Sequence, residues 1–345
     1  MEIFTFPHEL TMDSSIQFIN HIFDNTGHDE YMFDFNNLSW IEPFSLLYVS
    51  KHIKEFLDLN KKSNIQFNIP NNKIHSRDCL SYADHMAFFR SCGFGFGTKV
   101  VKKKGNNNYI PITSMPIKKL DKKANNRYTK IHNIIEEEAQ RLSQVLTHTN
   151  NGPVFDVISY SFREIIRNVY EHSNSESYEY CGQYWPTKQK AELCLIDNGI
   201  GLKASLLNNP YLEIENDRDA VLMSYLPGIS GKMYKGVKKV KHDVWQNSGY
   251  GLYMLNRICR NGNGSFFLAS YSSGIMVERN DKIDFTTKVK GTCIRLVLDI
   301  SSINNLRDIL TKFSKEGNAI SSKYKGTSKI KASTASRMVS EDFML

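Results

Sequence analysis

The sequence lacks any long apolar segment. No uninterrupted apolar run of about 18 residues, the minimum for a membrane-spanning helix, occurs in its 345 residues. The N-terminus, MEIFTFPHEL, also lacks the basic region and the apolar stretch of a signal peptide. We therefore expect a soluble, cytoplasmic protein that does not act at a membrane.

Clustered cysteines are absent as well. The six cysteines are scattered along the chain without any C-x-x-C spacing. This pattern argues against a zinc site and against a disulfide framework. We expect the cysteines to be buried, reduced thiols.

The composition is that of a globular protein with two cores. Hydrophobic residues make up 41% of the sequence and aromatic residues 12%, and the chain is long for a single core. Within residues 1–98, strand patterns near 3–6, 31–35 and 65–69 alternate with helical patterns near 14–23, 43–59 and 79–91. This alternation predicts a small α/β domain with helices over a sheet.

The order of strands and helices in residues 1–98 resembles that of the STAS, or anti-sigma-antagonist, family. In that family a strand ends in an Asp-rich or Asn-rich turn and leads into a helix that carries a regulatory Ser. Here the strand end is FDFNNL, residues 33–38, followed by SWIEPF, residues 39–44. The family's Asp-Ser pair falls near Glu42 and Pro43, where no hydroxyl stands, so we expect no phosphorylation switch there.

Two segments are predicted to lie outside a core. Residues 99–126 are rich in Lys and Asn with little apolar periodicity, which is typical of a basic linker. Residues 301–345 are expected to form a short helix near 303–313 and then a disordered tail rich in Ser and Lys. The net charge of +8 is modest for this length, so we interpret the lysines as solvated, with a nucleic-acid or partner contact as the alternative.

The segment SFREIIRNVYEH, residues 161–172, predicts a helix with two faces. Its apolar residues follow the i, i+3, i+4, i+7 spacing of a core-facing stripe. Glu164, Asn168 and His172 follow at i, i+4 and i+8 on another face. One helix would therefore present a carboxylate, an amide and an imidazole together, although an ordinary solvated face can carry the same pattern.

A predicted buried strand, residues 192–196, ends in an Asp-x-Gly-x-Gly sequence formed by Asp197, Gly199 and Gly201. A carboxylate at a strand end can accept a hydrogen bond from the exocyclic amine of adenine. The glycines would let the backbone approach the base closely, although the same residues also suit an ordinary turn.

Two further glycine motifs follow downstream. Gly249, Gly251 and Leu252 open a predicted helix, where free backbone amides can bind phosphate. Gly291 and Thr292 then precede the last predicted strand, residues 293–298.

The four motifs follow in the order Glu-x-x-x-Asn, Asp-x-Gly-x-Gly, Gly-x-Gly-Leu and Gly-Thr. This order is similar to the motif series of the GHKL ATPase superfamily of gyrases, heat-shock chaperones, histidine kinases and MutL proteins. The resemblance covers residues 127–300 and implies ATP and Mg²⁺ as ligands. The roles it implies are general base for Glu164, magnesium ligand for Asn168, adenine acceptor for Asp197, base-pocket lining for Gly199 and Gly201, phosphate contacts for Gly249, Gly251 and Leu252, and framing of adenine for Thr292. His172 is similar to the His that ends the first motif in anti-sigma-factor kinases.

Residues 202–248 occupy the position of the superfamily's ATP lid. The segment PGISG, residues 227–231, precedes five lysines: Lys232, Lys235, Lys238, Lys239 and Lys241. We predict a lid that does not pack as a rigid core element and whose lysines close over the γ-phosphate. A solvated basic loop and a nucleic-acid contact are the alternatives.

The predicted fold class is α/β: an α+β two-layer sandwich of GHKL type behind a STAS-like α/β domain. The resemblance implies a nucleotide-driven switch that acts on a protein partner and is reset by ATP hydrolysis. A serine/threonine protein kinase is the alternative, favoured by the EHS sequence at 171–173 and by the STAS-like neighbour, and a module that only binds ATP is the third. Many members of the superfamily work as dimers, so a homodimer is one form that the resemblance implies.

Overall fold

The structure is a computed structural model that describes residues 1–97, 108–238, 248–324, 327, 331–333, 335–339 and 342. Lys239 and Lys241 of the predicted lid and residues 99–107 of the predicted linker lie outside the described residues. The described residues form a mixed α/β structure with a parallel sheet and a larger antiparallel sheet. The mixed α/β class expected from the sequence is therefore confirmed.

The N-terminal part is built on a three-stranded parallel sheet in the order β1-β3-β5. Its elements are β1 (Glu2–Thr5), β2 (Glu9–Leu10), α1 (Met12–Asp24), β3 (Glu30–Asp34), β4 (Trp40–Ile41), α2 (Pro43–Leu59), β5 (Asn64–Asn68), α3 (Asp78–His85) and α4 (Phe88–Cys92). The single helix predicted near 79–91 is divided into α3 and α4. The division occurs because Ala87 adopts a left-handed conformation, with φ 64°, which a continuous helix does not allow.

The C-terminal part is built on a seven-stranded antiparallel sheet in the order β11-β10-β9-β12-β8-β7-β6. Its elements are β6 (Tyr109–Pro116), α5 (Ile117–Asn126), α6 (Ile131–Thr147), α7 (Pro153–Asn168), β7 (Ser177–Trp185), β8 (Lys190–Asp197), α8 (Gly201–Leu206), α9 (Asp217–Ser224), α10 (Gly251–Arg260), β9 (Ser265–Ser270), β10 (Ser273–Glu278), β11 (Asp281–Thr286), β12 (Thr292–Asp299) and α11 (Leu306–Ser321). Helices α7 and α10 pack on one face of this sheet.

The central strand β8 is buried on both faces. Leu193 and Leu195 point into the core that contains α7 and α10, whereas Cys194 and Ile196 point into the core shared with the N-terminal part. The helix α2 packs against β7 and β8 from this second side. The antiparallel sheet therefore carries helices on both faces, α7 and α10 on one and α2 on the other.

The prediction that residues 99–126 form a linker is wrong for the described part of that range, which is folded. Residues 109–116 form the edge strand β6, and residues 117–126 form α5. The buried residues of α5 are Leu120 and Ala124, four apart, while its lysines face outward. The lysine run is therefore the solvated face of a short amphipathic helix.

The C-terminal segment also differs from the prediction. The helix α11 runs for 16 residues, beyond the predicted end near 313. Ala332, Ser336 and Val339 of the segment predicted as a disordered tail are buried. All six cysteines are free, as expected. Among the described residues, no helix is long and apolar enough to cross a membrane.

Candidate functional site

The helix α7 places Glu164 in the interior of the molecule. The helix begins with Pro153 at its first turn and is buried along nearly its whole length, so that only 2% of Glu164 is exposed. Beyond Asn168 the chain continues as a π-helical turn, Val169–Ser173, a local widening often found at functional sites. The face of α7 that carries Glu164 is thus not solvated.

A cavity of about 830 Å³, open mouth included, lies between α7, the end of β8 and the start of α10. Eight of the predicted site residues line it: Glu164, Asn168, Asp197, Gly201, Gly249, Gly251, Leu252 and Thr292. Gly199, the ninth, is not a lining residue, and its backbone N–H instead donates to Asp197 Oδ1 at 2.7 Å.

The alternation along β8 explains why Asp197 faces this cavity. Residues 193, 195 and 197 lie on one side of the strand, which is the side of α7 and α10. Burial raises the pKa of Asp197 to about 6, against hydrogen bonds from the backbone of Gly199 and Thr292 that favour the charged form. The site therefore contains a buried carboxyl group that titrates close to neutral pH.

The start of α10 is shaped by two glycines. Gly249 has φ 69°, and a Cβ there would come within 2.4 Å of the Ile229 carbonyl oxygen. A Cβ on Gly251 would come within 2.8 Å of Glu164 Oε2. Among the described residues no side chain caps this helix, and backbone amides at a helix start can bind an anion.

Two arginines hold the Glu164 carboxylate. Arg163 Nε lies 3.2 Å from Glu164 Oε1, and Arg167 Nη1 lies 3.9 Å from the same oxygen. Arg163 and Arg167 are themselves 1% and 4% exposed. The carboxylate therefore has a fixed position, which a general base requires.

Asn168 provides a test of whether a magnesium ion fits. Its amide nitrogen is buried and has no hydrogen-bond partner among the described residues. Both amide atoms lie within 4 Å of a Cβ built on Gly251. The nitrogen and oxygen of an amide exchange places by rotation, so Asn168 can present an oxygen to the cavity. Magnesium usually takes one or two protein oxygens together with phosphates and waters, and Asn168 suits that role.

His172 lines the same cavity in its neutral form. Burial lowers the pKa of His172 to about 4, and the positive charges of Lys232 and Arg167 lower it further, against the opposing effect of Glu171. The imidazole is therefore uncharged at neutral pH and adds no positive charge to the cavity.

The described part of the predicted lid is packed, which corrects one expectation. Ile229 and Met233 are buried, and Ile229, Ser230 and Gly231 line the cavity. The Lys232 ammonium group donates to the Glu171 carbonyl oxygen at the end of α7. The prediction that this segment would not pack as a core element is thus wrong for residues 227–233, because Ile229 packs with α8 and α9 and Met233 packs in the main core.

Some cavity residues were not among the predicted ones. Arg167 and Ser248 line the cavity and stand next to the predicted motifs in sequence, so a helical projection from Glu164 would have found the arginine. Ser336 also lines the cavity, more than 80 residues after Gly251. No spacing in the sequence connects Ser336 with the earlier motifs.

Comparisons of this chain with models of protein families, with curated proteins and with solved structures found no match. The case for a function therefore depends on the residues of the cavity.

Proposed function

We propose that this chain is a magnesium- and ATP-binding regulatory ATPase of GHKL type that acts as a nucleotide-dependent switch on a protein partner. The observation that supports the proposal most is the convergence of eight predicted residues, from four separate segments, on one cavity. Each motif by itself would suit an ordinary helix face or turn. Their meeting in one buried cavity is what the nucleotide-binding hypothesis requires.

Each wall of the cavity has a task in this proposal. Asp197 accepts a hydrogen bond from the adenine amine at the end of β8. The first amides of α10, next to Gly249 and Gly251, bind the phosphates. Asn168 offers an oxygen to a magnesium ion, which when bound neutralises phosphate charge. Glu164, which Arg163 and Arg167 hold in place, accepts a proton from the attacking water.

The switch would act through the segment that the proposal assigns to the lid. Ile229, Ser230 and Gly231 line the cavity, so a bound nucleotide would touch them directly. Lys232 is exposed and contacts the end of α7 through Glu171. A nucleotide that changes these contacts would alter the outer surface of residues 227–238, where a protein partner can sense it.

The experiment is incubation of the full chain with Mg²⁺ and γ-labelled ATP. Free labelled phosphate indicates an ATPase, label on protein indicates a kinase, and binding without either indicates a binding module. Glu164→Gln should lower the rate about 10²- to 10⁴-fold with ATP binding largely kept. The matched control is Glu137→Gln, a carboxylate on α6 that is 55% exposed and is not among the cavity-lining residues. Equal rates in both variants would contradict the role of Glu164.

A serine/threonine protein kinase is the second candidate. One observation favours it: Ser336, a serine of this same chain, lines the cavity. In a kinase the carboxylate would activate a hydroxyl instead of water.

A further inference from the structure

The C-terminal segment of the chain enters the candidate nucleotide site. Ser336 is 2% exposed and lines the same cavity as Glu164, Gly249 and Gly251. The C-terminal segment could bury Ser336 by packing anywhere on the surface of the molecule. The segment instead lies at a cavity that the predicted motifs line.

The backbone at Ser336 and two residues after it is held by α7. The Tyr160 hydroxyl donates to the Ser336 carbonyl oxygen at 3.1 Å, and Arg163 Nη2 donates to the Met338 carbonyl oxygen at 3.1 Å. Tyr160 and Arg163 are each 1% exposed. These two anchors fix the segment relative to α7.

Arg163 connects the segment with the candidate base. The same guanidinium that donates to Met338 lies 3.2 Å, through Nε, from Glu164 Oε1. One side chain thus fixes the carboxylate and the tail segment together. An arrangement of this kind positions a base and an acceptor for one reaction.

The Ser336 side chain lies beside the predicted phosphate contacts. Ser336 Oγ is 3.4 Å from Ser248 Oγ, and Ser248 directly precedes Gly249. Its other hydroxyl neighbour is Ser333 Oγ at 2.9 Å. The hydroxyl is therefore at the end of the cavity where α10 begins, which the proposed function assigns to the phosphates.

We propose that Ser336 is a phosphoacceptor for the chain's own nucleotide site. The inference rests on the nucleotide binding of the proposed function, because it requires ATP in this cavity, and it takes the kinase alternative, in which a serine hydroxyl stands in place of the attacking water. Ser336 Oγ forms a bond to the γ-phosphorus, and the bond from that phosphorus to the β,γ-bridging oxygen breaks, which releases ADP. The hydroxyl proton passes to the Glu164 carboxylate. A phosphate on Ser336 adds a charge of about −1.5 to −2 to the cavity that Glu164 and Arg167 line.

The test uses the full chain, Mg²⁺ and γ-labelled ATP, with intact mass and peptide mapping to locate the phosphate. We expect one phosphate, on Ser336. Ser336→Ala should abolish the label, and Ser336→Thr, which keeps a hydroxyl, should restore part of it. Glu164→Gln should slow labelling about 10²-fold or more. The matched control is Ser322→Ala, an exposed serine of the same C-terminal segment that bonds only the Ala319 carbonyl oxygen among the described residues.

The outcomes separate the inference from the proposed function. Label that maps to another residue, or that survives in Ser336→Ala, overturns the phosphoacceptor role. A parent chain that binds ATP and gains no phosphate overturns it as well and leaves the nucleotide site standing. Failure of the parent to bind ATP overturns the proposed function, and the inference falls with it.

Discussion

Glu164 lies directly against Gly251, the first residue of α10. A Cβ built on Gly251 would come within 2.8 Å of Glu164 Oε2, closer than side-chain atoms normally approach. The carboxylate cannot move away freely, because Arg163 holds its other oxygen at 3.2 Å in a buried position. Gly251 is therefore the residue that lets the start of α10 and the candidate base occupy the same wall of the cavity.

Gly251→Ala should displace the Glu164 carboxylate and slow the reaction more than it weakens ATP binding. A misplacement of about 1 Å at a reacting group can cost about 10²-fold in rate. The measurement is the rate of phosphate release or transfer beside an ATP titration. Gly95→Ala is the matched control, because a Cβ there meets nothing within 4 Å and needs no unusual φ. An unchanged rate in Gly251→Ala would show that the carboxylate is not needed at this position.

Asp197→Asn should stabilise the chain at pH 8 and weaken its binding of ATP. Burial raises the pKa of Asp197 from 3.8 to about 6. A group whose pKa is raised by folding stabilises the folded state at pH values below its pKa in the unfolded chain. That contribution is lost as the pH rises through about 6, so the charged Asp197 carboxylate opposes folding at pH 8. The amide removes this charge but turns a donor toward the adenine amine, which should cost about 5- to 150-fold in affinity.

Urea unfolding at pH 8 and ATP titration of the same two proteins provide the measurement. As the pH falls through about 6, the parent should also lose affinity as its carboxyl group takes up a proton, and Asp197→Asn should lack that component. A variant that loses both stability and binding would instead indicate that Asp197 is a structural residue.

Asn168→Ala should weaken ATP binding in magnesium and leave binding in chelator nearly unchanged. The buried amide nitrogen of Asn168 has no protein partner in the described part of the chain, so its removal breaks no hydrogen bond there. Loss of a group that supports a metal ion costs about 10- to 100-fold in metal affinity. The matched control is Asn256→Ala, a buried asparagine on α10 outside the cavity lining. Equal losses with and without magnesium would remove Asn168 from the ion's coordination.

The strongly periodic elements could be predicted from the sequence. The predicted helix 43–59 matches α2 at both ends, because Pro43 starts it and its apolar residues keep helical spacing. The polar face with Glu164 and Asn168 was also visible in the helical spacing. Its burial was not visible, because that depends on α10 and the C-terminal segment, which are distant in sequence.

The sequence patterns of two folded segments, β6 and the segment around Ser336, did not predict their structure. In β6 the alternation of Ile110, Ile112 and Met115 is interrupted by a register shift between Ile110 and Thr113, which obscures the period of two. The segment around Ser336 is fixed through its backbone carbonyls at Ser336 and Met338, and every residue type has these groups. Side-chain patterns therefore could not have predicted this contact.

An ion-pair cluster around Arg295 of β12 connects the antiparallel sheet with the start of α2. Its Nε lies 3.0 Å from Glu192 Oε1 of β8, and its Nη2 lies 3.0 Å from Glu42 Oε2 at the start of α2. Glu192 Oε1 also accepts the Phe44 backbone N–H at 2.9 Å. The two carboxylates raise the pKa of Arg295 against the opposing effect of its burial.

Arg295→Met should lower the free energy of unfolding by about 3–5 kcal/mol, because it leaves the buried Glu192 carboxylate without its cation. Urea unfolding at pH 7 measures the loss. The control is Arg218→Met, whose pair with Asp284 is about half exposed at 2.7 Å and whose loss should leave the unfolding midpoint near that of the parent. If the two variants lost equal stability, the cluster would contribute no more than a surface pair.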